Sequence, residues 1–164
     1  DPVMVEICQD AGGGERLQLR IGGKLGPTSG DPADGEVTVV GLCDELENTI
    51  GGVPVSLGAA AGIKVHLGGE TSDAPGCGID VVLTARRGQG YSPSIFSGVG
   101  IDPEQKPILV VKSTQHLHAG FAPFSKQVFY AGDLGALPGE MTVIPLRLAD
   151  TGRLSPFVEN PFAG

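Results

Sequence analysis

The chain has 164 residues, and 27 of them are Gly, against roughly a dozen expected from average usage. The glycines follow no Gly-X-Y period, which excludes collagen, and a hydrophobic content of 40% does not fit a highly charged disordered chain. No run of about 18 apolar residues exists, which excludes a membrane-spanning helix. The net charge of −8, with no basic cluster beyond Arg86-Arg87, argues against nucleic acid as a partner. We therefore expect one globular domain over residues 1–164.

Residues 1–78 form the first of two predicted lobes, with twelve acidic residues, four basic residues and 17 of the glycines. Apolar and polar residues alternate here, which predicts an antiparallel meander with one buried face. The predicted elements are a helix over 2–9, strands over 15–21 and 36–46, a turn and short strand over 51–57, and a strand over 63–67, with a loop over 22–35.

Residues 79–164 form the second predicted lobe, which has no net charge and carries all eight aromatic residues. The predicted elements are a strand over 79–85 that is buried on both faces, a helix over 92–96, a strand over 108–111, a helix from 113 or 114 toward 121, and a strand over 127–130. This order is typical of βαβ units with parallel strands. The predicted fold class is α/β or α+β: a mixed sheet with an antiparallel Gly-rich N-terminal lobe and a βαβ-containing C-terminal lobe.

The three cysteines, Cys8, Cys43 and Cys77, are odd in number and too widely spaced for a CxxC zinc site. We interpret them as reduced thiols, which are typical of a cytoplasmic protein. The chain begins at Asp1, without Met and without a signal-like segment. We expect a processed chain or a piece of a longer one.

The longest stretch without Gly, residues 101–119, is where a ligand site is expected. It contains Lys112, Ser113 and His116 after a predicted buried strand, and ligands gather where such strands end and helices begin. Lys112 could hold an anion or be a solvated lysine. Ser113 could cap a helix, or form a nucleophile–base pair with His116, although no orienting acid is evident nearby.

The histidine spacing does not predict a metal site, and the two neighbouring arginines have other possible roles. His116 and His118 would share one face of a strand, but they diverge on the helix expected here. His66 is expected to face solvent. Arg86 and Arg87 follow a predicted strand and could clamp a carboxylate or form surface ion pairs.

Several short motifs occur in an order and at a spacing that carry a resemblance to a known family. They are Asp1-Pro2, Ala11-Gly12-Gly13-Gly14, Leu19-x-Ile21-Gly22-Gly23-Lys24, the run from Gly78 to Arg87, Gly100-Ile101-Asp102-Pro103, and Val110-Val111-Lys112-Ser113-x-x-His116. Together they resemble the C-terminal domain of the microcystinase C (MlrC-type) metallopeptidase family, from Asp1 to about Phe157.

The resemblance implies that zinc and its ligands belong to a separate N-terminal domain preceding Asp1, and that this chain holds no cofactor itself. It implies a parent enzyme that cleaves linear peptides. Lys112, Ser113 and His116 would face the cleft between the domains and help to hold the peptide substrate.

Three hypotheses follow from the sequence. The leading one is a substrate-side accessory domain of a zinc-dependent peptidase, inactive when isolated, with Arg86 and Arg87 as further candidates for substrate contact. The alternative is a free-standing ligand- or protein-binding module, and the third is a hydrolase that uses Ser113 and His116.

The leading hypothesis also predicts apolar surface that is exposed or covered by a second copy in a homo-oligomer. Tyr91, Phe121 and Phe124 are the candidates for this surface.

Overall fold

The computed structural model describes residues 1–24, 26, 29–66, 78–113, 116–132, 141–153 and 156–157. The helices and strands of these residues are α1 (Pro2–Ala11), β1 (Arg16–Ile21), β2 (Ala33–Cys43), β3 (Glu47–Ile50), β4 (Val53–Ser56), β5 (Ala60–Val65), β6 (Ile79–Thr84), α2 (Ser94–Ser97) and α3 (His118–Phe121). All of them belong to one compact unit, Asp1–Gly22 with Pro32–Val128, and a second unit comprises Gly23–Asp31 with Phe129–Gly164. The assignment of the whole chain to a single domain stays a prediction.

Four strands form one sheet in the order β1-β2-β5-β6, and every neighbouring pair in it is antiparallel. Strands β3 and β4 form a separate hairpin, whose turn residues Gly51 and Gly52 have φ of 55° and 83°. Two consecutive positive φ angles suit a two-residue hairpin turn, which Gly enters without a steric penalty. The predicted mixture of helices and a sheet is confirmed.

Glycines inside the strands allow another segment to lie directly on the sheet. A Cβ atom at Gly41 would stand 2.5 Å from the Val99 carbonyl oxygen, and one at Gly62 would stand 2.7 Å from it. Gly is depleted in strands, and this pattern obscures the element boundaries in the sequence. Strand β2 accordingly runs over Ala33–Cys43 rather than 36–46, and β5 begins at Ala60 rather than 63. Leu67, the last residue of the predicted 63–67 strand, lies outside the described residues.

Two apolar clusters are buried in the first compact unit. The first contains residues of α1 and of the four-stranded sheet: Met4, Val5, Cys8, Leu19, Val37, Val39, Ala61, Ile63 and Leu83. The second joins the β3–β4 region to the segment after α2: Leu46, Leu57, Ala60, Val99 and Ile101. Burial of such side chains is the main favourable contribution to folding, at about 25 cal/mol per Å² of apolar surface.

The prediction of a strand buried on both faces over 79–85 is wrong in its burial. Strand β6 (Ile79–Thr84) forms, but it pairs only with β5 among the described residues and lies at the sheet edge. Ile79 is accordingly 53% exposed. A short apolar run by itself does not show whether a strand is central or at an edge.

The strands predicted over 108–111 and 127–130 are also wrong, since neither segment forms a ladder in the described structure. The Asp80 carboxylate receives a hydrogen bond from Lys106, and the Lys112 carbonyl receives one from the Gly90 backbone N–H at 3.3 Å. These two contacts attach one end of the 106–112 segment to β6 and the other end to Gly90, which lies beyond β6. No βαβ unit is therefore found in the described part of the chain.

The helix predictions differ in accuracy. Helix α1 forms as expected and ends before Gly12, whose φ is 94°. Helix α2 also forms, as a single turn. Helix α3 begins at His118, with Leu117 as its N-cap, so the predicted start at Ser113 is wrong; the alternative start, Thr114, lies outside the described residues.

The exposed apolar side chains are not the ones predicted. Phe121 is buried, and Tyr91 and Phe124 are half-buried. Ile108 and Val110 are 80% and 81% exposed instead, on the segment that leads to Lys112. In the second unit, Phe129 and Tyr130 are among the exposed apolar residues.

The described cysteines are Cys8 and Cys43, and both are free thiols. Burial raises the pKa of the Cys8 thiol, which disfavours the reactive thiolate. Cys77 lies outside the described residues. No helix in the described ranges combines the length and apolar character that crossing a membrane requires.

Candidate functional site

The site is organised around a segment without regular structure, Gln89 to Ser92, which lies between β6 and α2. We call it the 89–92 segment. Its backbone cannot use a strand ladder to satisfy its polar groups, and a buried backbone group without a partner is costly. Its hydrogen bonds come largely from the side chains and backbone of β3.

Asn48, in β3, supplies most of these bonds and is fully buried. Its Oδ1 atom accepts the backbone N–H groups of Tyr91 and Ser92 at 3.0 and 3.1 Å. Its Nδ2 atom donates to the carbonyl oxygen of Gln89 at 2.6 Å. One amide side chain therefore binds a group from each of the three successive peptide units between Gln89 and Ser92.

The residues on either side of Asn48 add two more bonds. The Thr49 backbone N–H donates to Ser92 Oγ at 3.0 Å, and Ser94 Oγ donates to the carbonyl oxygen of Glu47 at 3.0 Å. Three successive residues of β3 thus attach the 89–92 segment and the start of α2 to the hairpin.

Ser113 lies against this segment. Its hydroxyl donates to Gln89 Oε1 at 3.1 Å, and the preceding residue, Lys112, accepts the Gly90 N–H through its carbonyl. A Cβ atom at Gly90 would stand 2.8 Å from the Val111 side chain. Glycine at position 90 therefore permits the two segments to approach this closely.

His116 contacts the same segment through an aromatic pair. Its ring stands edge-on to that of Tyr91, with a centroid distance of 5.9 Å and an interplanar angle of 80°. This geometry is one that aromatic rings favour. Gly120 of α3 assists the approach, because a Cβ atom there would lie 2.8 Å from the Tyr91 carbonyl oxygen.

The structure therefore brings Ser113 and His116 to one place, through contacts with Gln89 and Tyr91 respectively. Lys112 directs its backbone to the same segment, and its side chain is exposed. The Ser113 hydroxyl proton is engaged by an amide oxygen, whereas a serine nucleophile must donate its proton to a base. The arrangement suits hydrogen bonding to a ligand better than attack by Ser113.

Arg86 is engaged elsewhere. Its Nη1 atom donates to Ser56 Oγ at 2.8 Å and lies 3.8 Å from the Glu45 carboxylate, while its aliphatic carbons cover Gly58. These contacts attach the β3–β4 hairpin to the end of β6. Arg87 is exposed. Substrate contact by either arginine stays a prediction.

Metal ligands do not come together in the described ranges, where no group of three or more His, Cys, Asp or Glu side chains could hold an ion. The described residues therefore do not fit a zinc site. His66 does not simply face solvent. It is half-buried, and its Nε2 atom lies 2.8 Å from Thr38 Oγ1, within hydrogen-bond distance. His118 is exposed at the start of α3.

Sequence reasoning missed three residues of the site: Asn48, Gln89 and Tyr91. Asn48 had a detectable signal, because a polar amide stands in the β3 strand beside apolar Leu46 and Ile50. A polar residue at a buried strand position requires hydrogen-bond partners. Their identity depends on contacts more than 40 positions away in the chain, as for Tyr91 and Ser92.

Comparisons with known proteins agree with the resemblance seen in the motifs. The family model described as MlrC C-terminus matches residues 1–147. Microcystinase C of Sphingomonas sp is 30% identical over 130 residues, which are 79% of this chain and 24% of that protein. A crystal structure named "Putative metallopeptidase from Mesorhizobium sp. BNC1" matches with a TM-score of 0.62 at 22% identity, over 77% of this chain and 24% of that chain. At that identity the likeness shows the fold alone.

Proposed function

The chain belongs to the MlrC C-terminus family, and from this premise we propose that it is the substrate-side accessory domain of a zinc-dependent peptidase that acts on linear peptides. The observation that carries the proposal is the match with Microcystinase C, of which this chain spans 24%. In this proposal the zinc ion and its ligands lie in the parent protein's N-terminal domain. The present chain holds the peptide and does not perform the hydrolysis.

The 89–92 segment and its neighbours offer suitable groups for binding a peptide. Lys112 presents an exposed ammonium, which can pair with a carboxylate of the substrate. Ser113 and Gln89 form a hydroxyl–amide pair that can exchange its internal hydrogen bond for bonds to a peptide backbone. The Tyr91 and His116 rings provide an aromatic surface beside these polar groups.

The partner in this proposal is the parent's N-terminal domain, and its docking surface includes Ile108 and Val110. Both side chains are about four-fifths exposed, at 80% and 81%, and they alternate with the less exposed Leu109 and Val111 along an extended segment. Apolar side chains concentrated on one outward face are typical of interaction surfaces. Docking there would place Lys112 and Ser113, which follow directly, at the boundary between the domains.

The test uses the 164-residue chain with a linear peptide and added zinc. We expect no hydrolysis by this chain alone. We also expect the peptide to perturb the backbone NMR signals of Tyr91, Ser113 and His116, and the Lys112→Gln variant to bind it about tenfold more weakly, as loss of one charge-assisted hydrogen bond implies. The matched control is Lys126→Gln, which removes an exposed lysine beyond α3.

Several outcomes would contradict the proposal. Zinc-dependent hydrolysis by this chain alone would show that it is not an accessory domain. Peptide binding that leaves the signals near the 89–92 segment unchanged would remove the assigned site. A chain that binds peptide but forms no complex with the parent's N-terminal domain would instead support a free-standing binding module.

A further inference from the structure

Asn48 has no role in the motifs that define the family resemblance, yet it makes the densest set of polar contacts at the site. We propose that Asn48 is a positioning residue: its buried amide holds the 89–92 segment so that Tyr91 stands against His116 and Gln89 receives Ser113. The substrate-binding consequence rests on the proposed function. The positioning itself can be tested without it.

The chemistry of the side chain explains why an amide is needed. The segment presents two backbone N–H donors, from Tyr91 and Ser92, and one carbonyl acceptor, from Gln89, to the same buried point. An amide offers an acceptor oxygen and donor hydrogens on one planar group. A carboxylate would satisfy the two donors but would face the Gln89 carbonyl with a second acceptor. An apolar side chain would leave all three backbone groups without these partners.

Two routes of contact lead from Asn48 to His116. The direct route passes through the Tyr91 backbone, which Asn48 holds, to the Tyr91 ring. The second passes through Ser92, whose carbonyl accepts the Ile95 N–H at the start of α2.

From α2 the second route reaches α3 through an aromatic pair. Phe96 packs edge-on against the buried Phe121 at a centroid distance of 6.1 Å. Because α3 begins only two residues after His116, its position also constrains where that ring can lie. Substitution of Asn48 should therefore shift the His116 ring through these intermediate contacts.

The experiment measures the ring proton NMR signals of His116 in the full 164-residue chain. The three histidines allow assignment with a His116→Gln variant. In the wild type, the edge-on Tyr91 ring displaces these signals by its ring current. We expect Asn48→Ala to move the His116 signals to the positions found in Tyr91→Leu. The His66 signals should stay unchanged, because His66 follows β5 and contacts Thr38 of β2, away from the 89–92 segment.

A matched control separates positioning from loss of stability. Val37 is fully buried in the sheet cluster, and Val37→Ala removes core packing without touching the 89–92 segment. If Val37→Ala moves the His116 signals as far as Asn48→Ala does, at temperatures where both variants are folded, positioning is refuted. Unchanged His116 signals in Asn48→Ala also overturn it.

Peptide titration then distinguishes this inference from the proposed function. A wild-type chain that binds no peptide would defeat the proposed function, while the His116 signals would still decide the role of Asn48. Where the wild type binds, we expect Asn48→Ala to lose affinity and Asn48→Asp to lose it as well, because the carboxylate opposes the Gln89 carbonyl. Wild-type affinity in both variants would overturn the substrate-binding consequence, while the His116 signals would still decide whether Asn48 positions the 89–92 segment.

Discussion

The antiparallel sheet and the 89–92 segment belong to the same compact unit, but different contacts hold them. Along the sheet, backbone ladders and apolar side chains on α1 and the strands repeat the same interaction many times. At the segment, one amide, two serine hydroxyls and several close approaches at glycine determine the position.

The difference concerns how much depends on a single residue. Removal of one ladder position leaves its neighbours paired, so the sheet tolerates many surface changes. The segment has no such repetition, and Asn48 alone satisfies three of its backbone groups. The position of the 89–92 segment therefore depends more on individual polar contacts than the sheet does.

The largest effect is expected in the sheet core. Ile63 is fully buried on the central strand β5, and Ile63→Ala should lower the free energy of unfolding by about 2–5 kcal/mol through lost burial and a residual cavity. Urea denaturation followed by circular dichroism measures it. The loss should be shared by the whole first unit, so exchange protection that falls only in β5 would contradict the cooperative sheet described here.

The next effect concerns Asn48. Asn48→Ala leaves the Tyr91 and Ser92 N–H groups and the Gln89 carbonyl without their partner. Because these bonds are only part-buried, water can reach some of the freed groups, and we expect a net cost of about 1–3 kcal/mol. Hydrogen exchange should accelerate at Tyr91 and Ser92 before it changes in β2 and β5. Equal acceleration in both regions would show that the segment and the sheet open together.

A smaller effect is expected for Gly120→Ala. The added Cβ atom would stand 2.8 Å from the Tyr91 carbonyl oxygen, and such overpacking costs about 1–3 kcal/mol. The higher helix propensity of Ala offsets about 1 kcal/mol of this cost. Thermal unfolding gives the net change, and nuclear Overhauser contacts between the Tyr91 and His116 rings should weaken. If the unfolding temperature and the Tyr91–His116 contacts both stay at their wild-type values, the position of α3 does not depend on the close approach at Gly120.

Arg86→Ala should have little effect. The arginine side chain is 65% exposed in its ion pair with Glu45, and exposed pairs contribute about 0–1 kcal/mol because solvent and salt screen them. Denaturation in low and high salt should give the same small difference or none. The Arg87→Ala variant is the control. If Arg86→Ala lowers the free energy of unfolding by well over about 1 kcal/mol, the contacts between Arg86 and the hairpin stabilise the fold more than an exposed ion pair does.

The smallest effect is the pH dependence of the Arg20–Asp34 pair. The guanidinium donates two hydrogen bonds to the carboxylate at 2.7 and 2.8 Å and holds the pKa of Asp34 below its ordinary value. A carboxyl group with a lowered folded pKa stabilises the fold at neutral pH, and this is lost as the pH falls through the lowered value. The pair is exposed, so we expect only a slight change. An NMR titration of Asp34 should return to the ordinary pKa in Arg20→Gln, and the lowered pKa persisting there would assign the effect to another group.

Sequence periodicity predicted the regular part of the fold well. The alternation from Arg16 to Ile21 and the Pro near the start of α1 report local preferences that the structure preserves. The extended run from Ile108 to Val111 failed as a prediction, because its apolar character resembles that of a buried strand whether or not a neighbouring strand exists. Ile108 and Val110 face outward in this structure, and no local pattern indicates that.

The candidate site was predicted in part for the same reason. Ser113 and His116 stood out by residue type and by their place after a predicted strand, and the structure brings both to the 89–92 segment. Gln89 and Tyr91, the residues they contact, lie more than 20 positions away. Residue type indicates that a group can bind or donate, but not which distant group it meets.

The order of residues alone was enough to identify the family, the helix α1 and most strands of the sheet, because short-range periodicity and ordered motifs specify them. The tertiary structure decided that β6 lies at the sheet edge among the described residues, that Arg86 attaches the hairpin, and that Asn48 holds the 89–92 segment. The physical reason is the range of the interactions. Burial patterns and turns act between near neighbours, whereas the bonds of Asn48 connect segments that meet only when the chain has folded.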